Sequence, residues 1–274
     1  VYVYKYIDIY VVLLSISRTV LPHYWRVRDR NTFHNNSNLN VLISRCKSVL
    51  PCVLIGSFTL LEGDVEFPKN RNAMKCWQNS QCSWPKSDDG KVRIPFMLSD
   101  KYGRWAFLED KRTILYAMEE FHNKTCIRFI PRQGQTAYIY IEPRFGCSSM
   151  LGYLGDKVTV SLQRYGCIEN GIIQHELLHA LGFHHEHTRS DRDKYVKINW
   201  ENIHDYYAYN FKKKDTNNLD TPYDYNSIMH YDRNAFGNYR SETITPIPDP
   251  SVSIGQKGVL STIDILRINR LYRC

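Results

Sequence analysis

The sequence is poor in the residues that interrupt globular folds: its 274 residues include only 14 glycines and 11 prolines. That proportion excludes collagen-like and low-complexity chains, and an apolar fraction of 43% is enough to build a core. No apolar stretch is long enough to span a bilayer. The run at residues 9–16 fits either the core of a signal peptide or a buried strand. The length suits one large domain or two small lobes.

A concentrated basic surface is also missing, although the formal net charge is +8. Residues 1–71 and 72–274 each carry a net charge of +4. The longest basic run is the lysine triplet at 212–214, which Asp215 follows at once. Because a nucleic-acid-binding protein is expected to show a basic stripe or a recognised motif, we predict an ordinary solvated surface. We expect neither a nucleic-acid partner nor a membrane partner.

The eight cysteines include no C-x-x-C pair, which is the spacing that zinc ribbons and thioredoxin-like redox sites require. They stand at positions 46, 52, 76, 82, 126, 147, 167 and 274. An even number of dispersed cysteines is typical of disulfides in a secreted protein. Two N-glycosylation sequons, at Asn35 and Asn123, are compatible with secretion.

Regular secondary structure is predicted from about residue 90 onward, where apolar periodicity begins. Short strands are predicted at residues 91–98, 126–130, 136–141 and 157–162. Helices are predicted at residues 106–122, 170–181 and 262–272. Gly182 ends the second helix, and a capping box from Ser261 to Asp264 opens the third. Strands therefore gather in the first half of the chain, whereas helices occur in both halves.

One segment, QHELLHALGFHHEHTRSDRD, carries the chemistry. His175 and His179 are four residues apart on a predicted helix, so their imidazoles share one face and can bind one zinc ion at about 2.0–2.1 Å. Gly182 lets the chain turn, and His185 then returns as a third ligand. Glu176 is next to the first ligand and within reach of a metal-bound water. The string H-E-x-x-H-x-x-G-x-x-H is the zinc signature of the metzincin proteases.

The alternative interpretation of this segment is a polar helix face with several hydrogen-bonded histidines. It is the weaker one, because the glycine and the third histidine at fixed offsets make an accidental match roughly several hundredfold rarer. His184 and His187 flank the predicted third ligand. The spacing selects His185, and we expect the other two to lie behind the ligands or at the surface.

A second element lies downstream, where Ser-Ile-Met-His-Tyr occupies residues 227–231. Metzincins place a tight turn with a methionine beneath the zinc at this point. Met229 is polarisable and apolar, so it can pack under histidine rings without competing for the metal. A methionine in a turn is otherwise most often core filler; its position after the zinc motif favours the functional interpretation.

The zinc motif together with S-I-M-H-Y resembles the astacin family of secreted zinc endopeptidases, over residues 72–274. The resemblance implies an α+β fold of two lobes, with a mixed sheet and helices in the upper lobe and an irregular lower lobe that ends in a C-terminal helix. It implies one zinc ion per chain and Tyr231 as an additional ligand, which swings away to stabilise the oxyanion. Glu186 matches the residue that holds the mature amino terminus, here Asn72, in a buried polar contact.

The same resemblance pairs six of the cysteines. It implies the three disulfides Cys76–Cys82, Cys126–Cys274 and Cys147–Cys167. Cys46 and Cys52 are additional to the six.

Upstream, the L-E-G-D sequence that ends at Asp64 resembles the family's propeptide motif, whose aspartate binds zinc and keeps the zymogen latent. Activation then requires a cut between Arg71 and Asn72, a basic site suited to a trypsin-like protease. We accordingly expect residues 1–71 to be a signal and propeptide region that precedes the catalytic domain. Residues 1–55 match no propeptide of the family.

The stretches TCIRFIPR, INWENI, DTNNLDTPYDY and ITPIPDP are similar to fish hatching enzymes, the choriolysins. The resemblance implies a secreted monomer, stored in secretory granules, that digests egg-envelope glycoprotein and pairs the substrate backbone with a strand near residues 147–151. The absence of a further module after Cys274 favours a short form. One alternative is a short astacin with a digestive or tissue-processing role. The other, an inactive binding homologue, is disfavoured because binding alone requires neither Glu176 and Tyr231 nor the three histidines.

Overall fold

A computed structural model gives the positions of residues 54–55, 58–67, 83–102 and 108–274. They belong to the second of two compact units into which the chain divides, Leu54–Cys274. Several residues discussed above lie outside the described part: the apolar run 9–16, Asn35, Cys46, Cys52, Arg71, Asn72, Cys76 and Cys82. The signal peptide, the activation cut and the Cys76–Cys82 bridge therefore stay predictions.

One mixed sheet of eight strands contains most of the extended structure. Its strands are β1 Leu54–Ile55, β2 Phe58–Leu61, β3 Val65–Phe67, β4 Val92–Leu98, β5 Ile127–Pro131, β6 Tyr138–Glu142, β7 Cys147–Met150 and β8 Lys157–Leu162. Their order across the sheet is β1-β2-β3-β7-β8-β6-β4-β5. The pairs β8–β6, β6–β4 and β4–β5 are parallel, whereas β7 is antiparallel to β8 and parallel to β3.

Three α-helices occur in the described residues: α1 Leu108–Lys124, α2 Asn170–Ala180 and α3 Thr262–Leu271. Helix α1 buries Ile114, Ala117, Met118 and Phe121, one stripe at helical spacing, and Phe121 meets Phe129 of β5 edge-on at 5.6 Å. Together with α2, this helix and the sheet form the upper lobe and its main core. The four predicted strands and three predicted helices are confirmed, with bounds within two residues.

The lower lobe, which follows α2, has little regular structure. A two-stranded antiparallel sheet joins β9 Val196–Ile198 to β10 Ile244–Pro246, and short 3-10 helices fill much of the remainder. Aromatic and aliphatic side chains make a second, smaller core there. Helix α3 packs Ile268 and Tyr272 back into the upper core. The predicted α+β fold with an irregular lower lobe is confirmed. The resemblance implied a strand near β7, whereas the short strands β1, β2, β3, β9 and β10 were not predicted.

No helix in the described ranges is both long and apolar enough to cross a membrane. Two disulfides join described residues, and both were implied by the resemblance. Cys126–Cys274 joins the start of β5 to the chain end across a sequence separation of 148, with Cα atoms 5.2 Å apart. Cys147–Cys167 spans a separation of 20 and ties β7 to the loop before α2. Both hold the ends of elements that surround α2.

Replacing both members of a disulfide by serine tests how much each closure contributes. Since the loss of chain entropy on cross-linking grows with loop length, we expect C126S/C274S to lower the free energy of unfolding by about 5 kcal/mol and C147S/C167S by about 3 kcal/mol. Denaturant unfolding without reductant measures both. Equal losses, or the reverse order, contradict the loop-length argument.

Candidate active site

Three histidines converge at the end of α2. His175 and His179 lie one turn apart on this helix, and their Nε2 atoms are 3.2 Å from each other. Gly182 follows with a φ of +99°, a backbone conformation that residues with a side chain adopt only with strain. Its N–H donates to the carbonyl of His179. The chain then reverses and places the Nε2 of His185 at 3.2 Å from that of His175. The three histidines therefore come together after a chain reversal at Gly182, as their spacing in the sequence predicts.

The last carbonyls of α2 are fixed from outside the helix. The indole of Trp84 donates to the carbonyl of Ala180 at 2.9 Å, and the hydroxyl of Tyr272 donates to that of Leu181 at 2.9 Å. Carbonyls at a helix end lack partners within the helix, so these two bonds satisfy groups that would otherwise be buried unpaired. The helix that carries two of the histidines is thereby held at the end where they project.

Hydrogen bonds on the outer ring nitrogens define which nitrogens are free. The Nδ1 of His175 lies 2.8 Å from the carbonyl oxygen of Ile228, and the Nδ1 of His179 lies 2.8 Å from that of Phe183. Because a carbonyl only accepts, each Nδ1 carries the proton and each Nε2 presents a lone pair. The third histidine has a carboxylate oxygen of Glu62 at 3.1 Å from its Nδ1, which selects the same tautomer.

This donor set fits a zinc ion. Three imidazole lone pairs that face one another at 3.2 Å repel unless a cation lies among them. Ligands around a tetrahedral zinc, each about 2.0–2.1 Å from the metal, lie about 3.3–3.4 Å apart. A carboxylate oxygen of Asp64 joins the group, and all four ligand atoms lie within 4.8 Å of one another. The set of three imidazoles and one oxygen is one that zinc favours.

Asp64 closes the group from above. Its Oδ2 lies 3.2 Å from the Nε2 of His175 and 3.3 Å from that of His185, and its Oδ1 lies 3.5 Å from that of His179. Its carbonyl accepts the N–H of Ser149 at 2.9 Å, beside the parallel pairing of β3 with β7. Backbone pairing with the upper lobe thus places the carboxylate over the histidines.

Glu62, two residues before Asp64, has a role that the sequence did not indicate. It is 1% exposed, and its oxygens lie 2.7 Å from the Nδ1 of His184 and 3.2 Å from the Nζ of Lys214. With the contact to His185, three nitrogens surround this one side chain. Burial of a carboxylate is stable only when such partners replace water. The turn that carries Asp64 is therefore anchored on both sides.

Glu176 follows His175 on α2 and is 2% exposed. Its Oε2 has no hydrogen-bond partner among the described residues. Burial raises the pKa of this carboxyl well above its usual range, and the negative charges of Asp64 and Glu66 raise it further. A buried carboxyl with a free oxygen is placed to exchange a proton with a reacting group.

The turn at Met229 is held by the C-terminal helix. Met229 is 3% exposed and packs in the upper core, and its carbonyl accepts the N–H of Glu186 at 3.0 Å. Asp264, in the first turn of α3, accepts from the hydroxyl of Ser227 at 2.6 Å and from the N–H of Ile228 at 3.0 Å. The carbonyl of that same Ile228 orients the first histidine. Asp264 is thus connected to a histidine ligand through one residue of backbone.

Tyr231 is buried in the lower lobe beside the histidines. Its ring centroid lies 4.5 Å from that of His185, and its hydroxyl donates to the backbone carbonyl of Glu62. A Cβ at Gly63 would lie 3.2 Å from that hydroxyl and only 2.7 Å from the ring of Phe236. Glycine is therefore required for the turn to approach the tyrosine so closely.

Glu186 has partners that the sequence did not indicate. Its carboxylate accepts hydrogen bonds from both terminal guanidinium nitrogens of Arg267. It also accepts one from the backbone N–H of Asp224, at 2.8 Å. Arg189 lies 3.5 Å away. The predicted partner of Glu186, the amino group of Asn72, lies outside the described residues. Of the flanking histidines, His184 contacts Glu62, and His187 is wholly buried behind the ligands rather than at the surface.

Comparison with known proteins decides the family. The family model for the astacin peptidases matches residues 76–273. The chain belongs to the astacin family. The low choriolytic enzyme of the fish Oryzias latipes is 61% identical over 216 residues, which is 78% of this chain and 78% of that protein. The solved structure of high choriolytic enzyme 1, a hatching enzyme zinc-protease from the same fish, matches with a TM-score of 0.69 at 54% identity, over 74% of this chain and all of that one.

This astacin is a zinc metalloendopeptidase with zinc as its cofactor. Myroilysin, 20% identical with a TM-score of 0.50 over 70% of this chain, shares the fold. The residues that spacing alone did not reveal in the astacin are Glu62, Arg267, Asp264 as a support of the Met229 turn, and His187 as a packing residue. The sequence features that could have pointed to these residues are the acidic position in L-E-G-D for Glu62 and the capping box for Asp264.

Replacing Asp264 tests the connection between α3 and the histidines. Asp264→Ala leaves several buried donors unpaired, so we expect a loss of about 3 kcal/mol in the free energy of unfolding and about 10–100-fold weaker zinc binding. Denaturant unfolding and competition with a chelator measure the two effects. Ser261→Ala removes the helix cap and the hydroxyl's bond to Asp224 but leaves the bonds of Asp264 to the Met229 turn, so it should cost about 1 kcal/mol with zinc affinity unchanged. Equal zinc affinity in both variants contradicts the connection.

Proposed function

We propose that this astacin is a secreted hatching enzyme that hydrolyses peptide bonds in egg-envelope protein. The observation that carries the proposal is the convergence of three imidazole lone pairs beside a buried glutamate with a free oxygen. The choice of substrate is supported by the choriolytic enzymes to which most of the chain is similar. The match to the low choriolytic enzyme covers 78% of this chain and 78% of that protein, so a shared activity is the simplest inference.

His175, His179 and His185 hold the zinc, and the acceptors on their outer nitrogens keep each Nε2 aimed at it. When bound, zinc polarises the scissile carbonyl and lowers the pKa of its water to about 7. Glu176 accepts the proton of the attacking water at a carboxylate oxygen and passes it to the departing amine nitrogen. The hydroxyl of Tyr231 donates a hydrogen bond to the developing oxyanion.

We place the substrate along β7. In the described chain β3 occupies this edge, with Val65 opposite Ser149 and Glu66 opposite Met150. Strand addition to such an edge supplies main-chain hydrogen bonds to any extended peptide, whatever its side chains. An extended segment that already lies over the histidines supports the same edge as the position of the substrate.

We interpret residues 58–67 as the inhibitory part of a propeptide, with Asp64 as the group that keeps the zymogen latent. Asp64 lies where a catalytic water must bind, and β3 takes the substrate's edge. Cleavage between Arg71 and Asn72 by a trypsin-like protease, within a 1–71 propeptide region, releases this segment from the catalytic domain 72–274. The new amino terminus then approaches Glu186.

Glu176→Gln is the central test of the mechanism. The amide cannot accept the proton, so we expect kcat/KM to fall by about 10²–10⁴-fold while zinc content stays the same. Hydrolysis of a general protein substrate and solubilisation of isolated fish egg envelopes are measured side by side, with the exposed Glu119→Gln as control. Activity retained by Glu176→Gln refutes the mechanism. If the native enzyme hydrolyses the general substrate but does not solubilise egg envelopes, the hatching role is refuted and the assignment as a protease stands.

Asp64→Ala tests latency. Loss of the carboxylate uncovers the histidines, so we expect the uncleaved chain to hydrolyse a short peptide at least about tenfold faster than the uncleaved native chain. Peptide hydrolysis is measured with an Arg71→Ala background, which blocks conversion at the predicted cut. Glu66→Gln, two residues further along on β3 and hydrogen-bonded to Ser148, is the matched control. If the uncleaved Asp64→Ala chain hydrolyses the peptide no faster than the uncleaved native chain, another group maintains latency.

A further inference from the structure

The ring of Tyr231 is stacked at a small angle on two other rings. The ring centroid of His187 lies 3.9 Å from that of the tyrosine, at an angle of 28°. The ring centroid of Phe236 lies 5.5 Å away, at an angle of 27°. Stacked neighbours resist tilting of the tyrosine ring more than they resist sliding within its own plane. We call His187 and Phe236 the walls of a slot that holds the tyrosine.

Both walls of the slot have identifiable constraints. His187 is fully buried, its Nε2 lies 3.1 Å from the carbonyl oxygen of Asn210, and its ring meets Phe211 at 5.4 Å. The Nδ1 of His187 has no hydrogen-bond partner in the described ranges, so one backbone bond and ring packing are its contacts. Phe236 has a φ of 58°, a left-handed conformation that is uncommon for a bulky residue and marks a position held by its surroundings.

The slot matters because the hydroxyl of Tyr231 is engaged elsewhere in this chain. It donates to the carbonyl of Glu62, on the segment that we interpret as inhibitory. Once that segment leaves, this bond is lost and the phenol must reach the oxyanion. A ring stacked at a small angle on two neighbours makes that movement most easily within its own plane, so the hydroxyl arrives along one path.

We propose that His187 is a positioning residue for Tyr231: its ring sets the plane in which the phenol moves to the oxyanion. The proposal rests on the oxyanion role of Tyr231 in the proposed function. It assigns His187 no proton transfer and no contact with the metal. The ring of His187 also lies 5.6 Å from that of His185, so zinc content separates an effect through that histidine from one through the tyrosine, and a double-mutant cycle is the appropriate test.

The experiment compares His187→Ala in the native and Tyr231→Phe backgrounds, with the activated enzyme in each case. In the native background we expect kcat to fall about tenfold with KM and zinc content unchanged. The substitution removes the stack of His187 on Tyr231, and an aromatic pair contributes enough free energy to account for a factor of about ten. Binding of a tetrahedral phosphinic peptide should weaken by the same factor, whereas binding of an uncleaved product peptide should not change. In the Tyr231→Phe background the histidine substitution should have no further effect.

Two further substitutions separate stacking from hydrogen bonding. His187→Phe keeps the stack without the bond to Asn210, and His187→Gln keeps a donor without the stack, so the phenylalanine variant should be the more active. The matched control is His122→Ala, which removes another histidine stacked on an aromatic ring, Phe129, at 6.0 Å. It should not interact energetically with Tyr231→Phe.

Three results overturn the proposal, and they are distinguishable. Equal losses in both backgrounds assign His187 a general structural role. A loss for Tyr231→Phe without one for His187→Ala removes the positioning role and leaves the proposed mechanism intact. Native activity in Tyr231→Phe removes the oxyanion role of the tyrosine and, with it, the proposal.

Discussion

Three imidazoles must direct their lone pairs at one point, and this constraint organises the rest of the structure. A ring nitrogen is free to bind metal only if the other nitrogen has an acceptor. The three acceptors are Ile228 in the turn before Tyr231, Phe183 just after α2, and Glu62 on the N-terminal segment. Parts of the chain that are far apart in sequence must therefore meet at one place, and the two lobes are joined where they do.

The support extends to the C-terminal helix. Asp264 fixes the turn that orients the first histidine, and Arg267, one turn along α3, neutralises the buried Glu186 beside the third. A buried carboxylate is tolerated only with such a partner, since desolvation of an unpaired charge is costly. The disulfide from Cys126 to Cys274 secures the end of the same helix. Helix α3 thus also ties the irregular lower lobe to the upper one.

Sequence reasoning succeeded where the determinants are local. Periodicity places α1 and α2, and the i, i+4 spacing with Gly182 places the three histidines, because a few neighbouring residues decide each of these. It failed for Glu62 and for Arg267, whose partners are 123 and 81 residues away. It also missed β1, β2, β3, β9 and β10, each too short to show a period. Contacts of this kind depend on tertiary packing, which no local pattern encodes.

The pairing of β3 with β7 has a consequence beyond catalysis. A bare strand edge presents unpaired N–H and C=O groups to any other chain, and proteins kept at high concentration must hide such edges. Here β3 covers β7, and on this side the described sheet ends at β1, which is two residues long and offers little for another chain to extend. The segment that we interpret as inhibitory therefore also covers a strand edge of the sheet, and a covered edge protects against association with other chains.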